Sequence, residues 1–138
     1  MNKFDADLNI LVVDDDAMVK NILVEYLQGM GFKNVHAAKR SSQALHILQD
    51  SKVRIDLIIS DWEMPEVSGL TLLKSVRNSP HRKLTPFIIV TSQRSMERFK
   101  ITQAAQWAVD CYIIKPFRQD LLRTKIFEVM GWDEQAAS

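Results

Sequence analysis

The chain has 138 residues, enough for one domain with a sizeable core and too few for two ordinary ones. Hydrophobic residues make up 46% and charged residues 25%, ordinary for a soluble globular protein, and no apolar run approaches the roughly 20 residues that span a bilayer. A net charge of +1 gives no general pull toward nucleic acid, and the single cysteine, Cys111, excludes an intramolecular disulfide. The first residues, Met1-Asn-Lys-Phe-Asp-Ala-Asp, carry acids and no long apolar segment, so the expected location is the cytoplasm, with no membrane partner.

Asn9 to Val13 is a short β-branched run that stops at Asp14-Asp15-Asp16, the pattern of a buried strand entering an acidic turn. Val19, Ile22, Leu23, Tyr26, Leu27 and Met30 then form the apolar stripe of a helix closed by Gly31. Val35 to Ala38 reads as a second strand, and Ser41 or Ser42 as the cap of a helix carrying Ala44, Leu45, Ile47 and Leu48. Leu57, Ile58 and Ile59 are a third strand ending at Asp61, before the turn residues Met64-Pro65 and Ser68-Gly69.

Leu70, Leu72, Leu73 and Val76 mark a third helix that must end before Pro80. Pro86 to Val90 is strand four, ending in Thr91-Ser92. Helix four is expected from about Ser95 to Ala108, with Met96, Phe99, Ile101, Ala104, Ala105 and Ala108 inward and Trp107 partly exposed. Cys111 to Ile114 is strand five, with Cys111 read as packing. The last helix carries Leu121, Leu122, Ile126 and Val129 and stops at Gly131. Residues 1–131 are thus expected to form the domain, with 132–138 as a short C-terminal tail. Strands alternating with helical stripes imply an α/β, doubly wound, five-stranded parallel sheet with helices on both faces.

In such a sheet the carboxyl ends of the strands lie along one edge, where ligands bind. Strand one brings Asp14, Asp15 and Asp16 to that edge, strand three Asp61, strand four Thr91 and Ser92, and strand five Lys115. Any one of these reads equally as a turn residue on the surface; their convergence does not. Carboxylates without His or Cys suit a hard cation such as Mg²⁺, while a hydroxyl and an ammonium complete a phosphate cradle. Asp61 then has the position of a nucleophile on phosphorus.

The motifs L-V-V-D-D at Leu11 to Asp15, S-D-W-E-M-P at Ser60 to Pro65, V-T-S at Val90 to Ser92 and Y-I-I-K-P-F at Tyr112 to Phe117 resemble those of response-regulator receiver domains, in order and spacing. The similarity covers nearly the whole chain and is strongest to the single-domain chemotaxis type. It implies a flavodoxin-like fold with strand order 2-1-3-4-5, and a cis bond between Lys115 and Pro116. It implies that Asp61 accepts a phosphoryl group from a histidine kinase or histidine phosphotransfer protein, with Mg²⁺ held by the carboxylates of Asp15 and Asp61, the backbone carbonyl of Glu63, and Asp14 mainly through water. Thr91 and Lys115 would contact the phosphoryl group. Thr91 and Tyr112 would act as the switch that reshapes the helix-four, strand-five, helix-five face for a downstream target. A monomer is expected before phosphorylation, and chemotaxis is one pathway such a domain serves. Glu63 and Gln93 hold the positions that tune phosphoryl lifetime in this family, and Ala108-Val109 replaces its frequent Gly-Ala pair.

Other readings stay beside this one. The basic residues Arg94, Arg98, Lys100, Arg118, Arg123 and Lys125 read first as a solvated helix surface and second as a site for an acidic partner. His36, His46 and His81 lack metal-ligand spacing. A haloacid-dehalogenase-like phosphatase would use Asp14 as nucleophile in a D-x-D pattern, but Met18 stands where Thr or Val is required. A flavodoxin-like flavin binder is opposed by the triple-Asp turn, which repels phosphate.

Overall fold

Each short apolar run becomes a strand covered on both faces. The computed structural model describes residues 3–92 and 98–133, apart from the side chains of 98–100. In chain order the elements are β1 (Asn9–Val13), α1 (Ala17–Gly29), β2 (Asn34–Ala38), α2 (Ser41–Gln49), β3 (Leu57–Asp61), α3 (Gly69–Asn78), β4 (Phe87–Ser92), α4 (Arg98–Gln106), β5 (Cys111–Lys115) and α5 (Gln119–Met130). All strand pairs are parallel, in the expected order β2-β1-β3-β4-β5.

The alternation of side chains along each strand divides the core in two. Ile10, Val12, Ile59, Ile88 and Val90 face Leu23 and Leu27 of α1 and Leu122 and Ile126 of α5. Leu11, Val13, Ile58 and Ile89 face Ala44 of α2, Leu72, Leu73 and Val76 of α3, and Ala104 of α4. Truncating a fully buried leucine such as Leu23 to alanine costs about 2–5 kcal/mol, because the lost contacts leave a cavity. The register then fixes the chemistry: Val13 pairs with Ser60, Asp61 with Val90, and Ser92 with Lys115, so the functional residues leave the sheet at one level.

Several local expectations are corrected. Neither Ser41 nor Ser42 caps α2; the cap position belongs to Arg40, without a side-chain bond. Ser41 is buried and donates instead to the Val67 carbonyl at 2.8 Å, which ties the head of α2 to the β3–α3 loop. Helix α4 ends earlier than expected, at Gln106, where Val109 N–H reaches back to the Ala104 carbonyl and Ala108 takes a left-handed φ of 57°. Ala105 and Ala108 are exposed, while Ala104 is buried. Ser95 and Met96 lie outside the described residues, as do Gln93 and Arg94, and the Phe99 side chain is not described. Leu121 is exposed and its neighbour Leu122 buried, because successive helical positions point about 100° apart and only one of the two can face the sheet. Phe127 is buried beside them.

Phe127 joins Phe4, Phe32 and Trp132 in an aromatic cluster with ring centroids 5.1–6.0 Å apart. The segment just past Gly131 is thereby packed through Trp132. Gly131 ends α5 at φ 71°, a conformation suited to glycine.

Two arginines that the periodicity did not single out fasten the opposite layer. Arg82 is buried and donates to the carbonyls of Leu48, Asp50 and Val53, each at 2.7 Å, satisfying the end of α2 and the turn after it. Arg77 binds the carbonyls of Trp107, Lys83, Thr85 and Ala108 and pairs with Asp110 at 3.2 Å.

Candidate functional site

The turn after β1 is built by its own acids. Asp16 caps α1, accepting from the N–H groups of Met18 at 2.9 Å and Val19 at 3.4 Å. Asp14 accepts the Asp16 N–H at 2.9 Å through Oδ1. Asp15 is left exposed at the lip. Across the sheet, Asp61 ends β3 with only 7% of its surface exposed. The loop beyond it folds back through the Gly69 N–H, which donates to the Trp62 carbonyl at 2.7 Å. Glycine is required at 69, because a Cβ there would run into the Asp61 carbonyl and the Trp62 Cα.

Lys115 closes the constellation from β5. Its Nζ lies 3.2 Å from Asp61 Oδ1 and 3.2 Å from Asp14 Oδ2. The following Lys115–Pro116 peptide is cis. Carboxylate oxygens of Asp14, Asp15 and Asp61 lie within 4.8 Å of one another. A pocket of about 280 Å³ opens over them, lined by Asp15, Asp16, Asp61, Glu63, Ser92 and Lys115.

These contacts set the protonation behaviour. Burial pushes the Asp61 carboxyl up to about 6, helped by the charge of Asp14 and opposed by Lys115. Burial also raises Asp14, although the Asp16 N–H and Lys115 work against it. Burial opposes charge on Lys115, but Asp61 and Asp14 outweigh it and hold the ammonium above the ordinary lysine range. The clustered carboxylates of Asp14, Asp15 and Asp61 make an all-oxygen donor set that fits a hard cation such as Mg²⁺.

The expected residues are not placed equally. Asp14, Asp15, Asp61 and Lys115 come together directly, and Glu63 lies exposed on the pocket rim. Thr91 is buried, at 1% exposure, with a long 3.4 Å hydrogen bond to the Ser92 carbonyl, and Ser92 lines the pocket in its place. Tyr112 is half-buried and donates its hydroxyl to the Ile101 carbonyl of α4 at 3.0 Å, joining β5 to that helix. Asp14, the nucleophile of the phosphatase alternative, is fully buried with both oxygens engaged by Asp16 and Lys115. Lys39 and Arg40, which the sequence reading passed over, line a neighbouring cavity that shares Asp15; only the fold brings the end of β2 there.

Known proteins share this sequence pattern and this fold. Residues 10–127 match the response regulator receiver domain family. The chain is 34% identical to chemotaxis protein CheY of Pseudomonas aeruginosa over 122 residues, covering 88% of this chain and 95% of that protein. It superposes on the chemotaxis response regulator CheY4 of Vibrio cholerae with a TM-score of 0.80 at 28% identity, over 89% of this chain and 98% of the other. The receiver domain of a Pseudomonas aeruginosa sensor histidine kinase, solved with a magnesium ion coordinated in its active site cleft, shares the fold with a TM-score of 0.77 at 21% identity, over 91% of this chain and 98% of that one.

Proposed function

The chain belongs to the response regulator receiver domain family, and from that membership we propose that it is a phosphoacceptor switch in which Asp61 receives a phosphoryl group from a phosphohistidine on a histidine kinase or phosphotransfer protein. The observation that carries this reading is the sheltered Asp61 carboxylate with Asp14 and Asp15 beside it and Lys115 Nζ at 3.2 Å.

An Asp61 Oδ attacks phosphorus; a P–O bond forms as the P–N bond to imidazole breaks, and its electron pair returns to the ring. Lys115 exchanges the lost carboxylate charge for an oxygen of the new acyl phosphate. Asp15 and Asp61 would hold Mg²⁺ through their carboxylates, Glu63 through its backbone carbonyl and Asp14 through water. The bound ion would offset the charge brought in by the phosphoryl group.

Thr91 then moves to bond the phosphoryl group, and Tyr112 turns inward as its tie to Ile101 is released. Together these reshape the face formed by α4, β5 and α5, where a downstream target binds. The exposed Ile114 and Leu121 stand on β5 and α5 as contacts for such a partner. The protein is its own substrate in this scheme and not a turnover enzyme. Residues 1–131, with Trp132 packed against them, form the working unit in the cytoplasm, monomeric before phosphorylation, and chemotaxis is the pathway the relatives favour.

Incubation with Mg²⁺ and acetyl phosphate, followed by intact mass, tests this. A single phosphoryl adduct is expected on the wild type, absent with EDTA and absent in Asp61→Asn. An unchanged adduct in Asp61→Asn would overturn the assignment.

A further inference from the structure

The proposed acceptor site is acidic toward the ligand it has to receive. Asp14, Asp15, Asp16, Asp61 and Glu66 stand in or beside it, and among the described residues lining the acidic pocket Lys115 is the cation. Among the described residues, even a bound divalent cation leaves the carboxylates in excess, while a phosphodonor approaches as an anion.

Two further cations stand at the entrance. Lys39 and Arg40 line a cavity of about 420 Å³ with Asp15, Pro65 and Glu66, which meets the acidic pocket at Asp15. Both side chains are exposed, and neither forms an ion pair among the described residues. Their backbone is fixed: the Lys39 N–H donates to Gln43 Oε1 at 2.9 Å, and the neighbouring Ser41 hydroxyl binds Val67 across the loop at 2.8 Å. The charges are therefore held beside the site without being neutralised by a partner.

We propose that Lys39 and Arg40 recruit the phosphodonor, offsetting the carboxylates at the mouth of the site so that an anionic phosphoryl donor can approach Asp61. The inference rests on the reading of Asp61 as phosphoacceptor. It makes two effects run in opposite directions. The pair draws in the donor anion, and it also repels the metal cation from the same acids, so removing its charge weakens donor use while tightening Mg²⁺ binding.

The test compares wild type with K39E/R40E, K39Q/R40Q and the charge-keeping K39R/R40K, using intact mass to follow adduct formation at varied acetyl phosphate and phosphoramidate, and calorimetry for Mg²⁺. In K39E/R40E the efficiency with acetyl phosphate is expected to fall about ten-fold at low salt, through KM with the maximal rate unchanged. The loss should shrink as NaCl rises, since screening acts over about 10 Å at 0.1 M. It should also be smaller for the less highly charged phosphoramidate. K39Q/R40Q should lie between, K39R/R40K should match wild type, and Mg²⁺ should bind more tightly to K39E/R40E. Equal donor use by wild type and K39E/R40E, a fall in maximal rate instead of a rise in KM, or unchanged or weaker Mg²⁺ binding would overturn the inference. If wild type itself takes no adduct on Asp61, the phosphoacceptor reading fails and this inference with it.

Discussion

Lys115 Nζ sits 3.2 Å from Asp61 and 3.2 Å from Asp14, one ammonium held between an acid at the end of β3 and an acid in the turn after β1 that meet only in the folded sheet. The arrangement leaves more acid than base in a sheltered space. Without a metal, the site works against the stability of the fold that builds it.

That cost has a sign in pH. The folded protein holds the Asp61 proton more tightly than the unfolded chain, with the group pushed up from 3.8 to about 6 by burial and by Asp14. Below about pH 4 both states are protonated and nothing is lost. As pH rises toward 6 the unfolded chain ionises first, so stability falls through this window and stays lower above it. At about 1.4 kcal/mol per pKa unit, the loss at neutral pH is on the order of 3 kcal/mol with the opposing pull of Lys115 already included, and less once solvent relaxes around the ionised group. Asp61→Asn should therefore unfold at higher urea than wild type at pH 7 in EDTA, by about 1–3 kcal/mol, with the gain vanishing near pH 4. A destabilised Asp61→Asn at pH 7 would contradict the strained-carboxylate picture.

Gly69→Ala should damage the site from outside it. The added methyl meets the Asp61 carbonyl and the Trp62 Cα, both main chain and unable to swing away. A loss of about 2–4 kcal/mol is expected in urea unfolding, in the range of strong overpacking, with weaker Mg²⁺ binding by calorimetry. Normal stability in this variant would show that the loop has room to shift.

Ala108 offers the reverse case. It is exposed and sits at φ 57°, where an L side chain is strained. Ala108→Gly should stabilise the protein by about 0.5–1 kcal/mol in thermal or urea unfolding, although glycine has more freedom to lose on folding. A destabilisation there would mean that the alanine methyl makes a contact outweighing its strain.

Arg82→Met should cost about 3 kcal/mol. It removes charge-assisted bonds at 2.7 Å to Leu48, Asp50 and Val53 and leaves those carbonyls to find water. Amide exchange should rise first at the end of α2. Wild-type exchange in that segment would show that Arg82 is not what holds it.

Most of the sheet was legible from the chain because parallel strands buried on both faces need continuous apolar runs, and each run here ends in polar residues at the level where the strand stops. Asp61 and Lys115 could be placed at one edge by that rule alone. What stayed hidden depends on contacts between distant residues. The burial of Arg82 answers carbonyls about thirty positions away, and the role of Gly69 follows from how closely its backbone crosses Asp61. The position of Lys39 and Arg40 beside Asp15 depends on β2 lying next to β1. Periodicity carried the end of helix four past Gln106 to Ala108, and it could not choose between Leu121 and Leu122, since adjacent apolar residues compete for one inward position.

The most direct test of Asp61 as phosphoacceptor locates the phosphoryl bond itself. Wild-type protein charged with acetyl phosphate and Mg²⁺ is treated with borohydride, which reduces an aspartyl phosphate to the alcohol, and is then mapped by peptide mass. The reduced residue is expected at position 61, and none when EDTA is present during charging. Reduction at Asp14 or Asp15, or a phosphoryl group that resists borohydride because it sits on a hydroxyl or an imidazole, would contradict it.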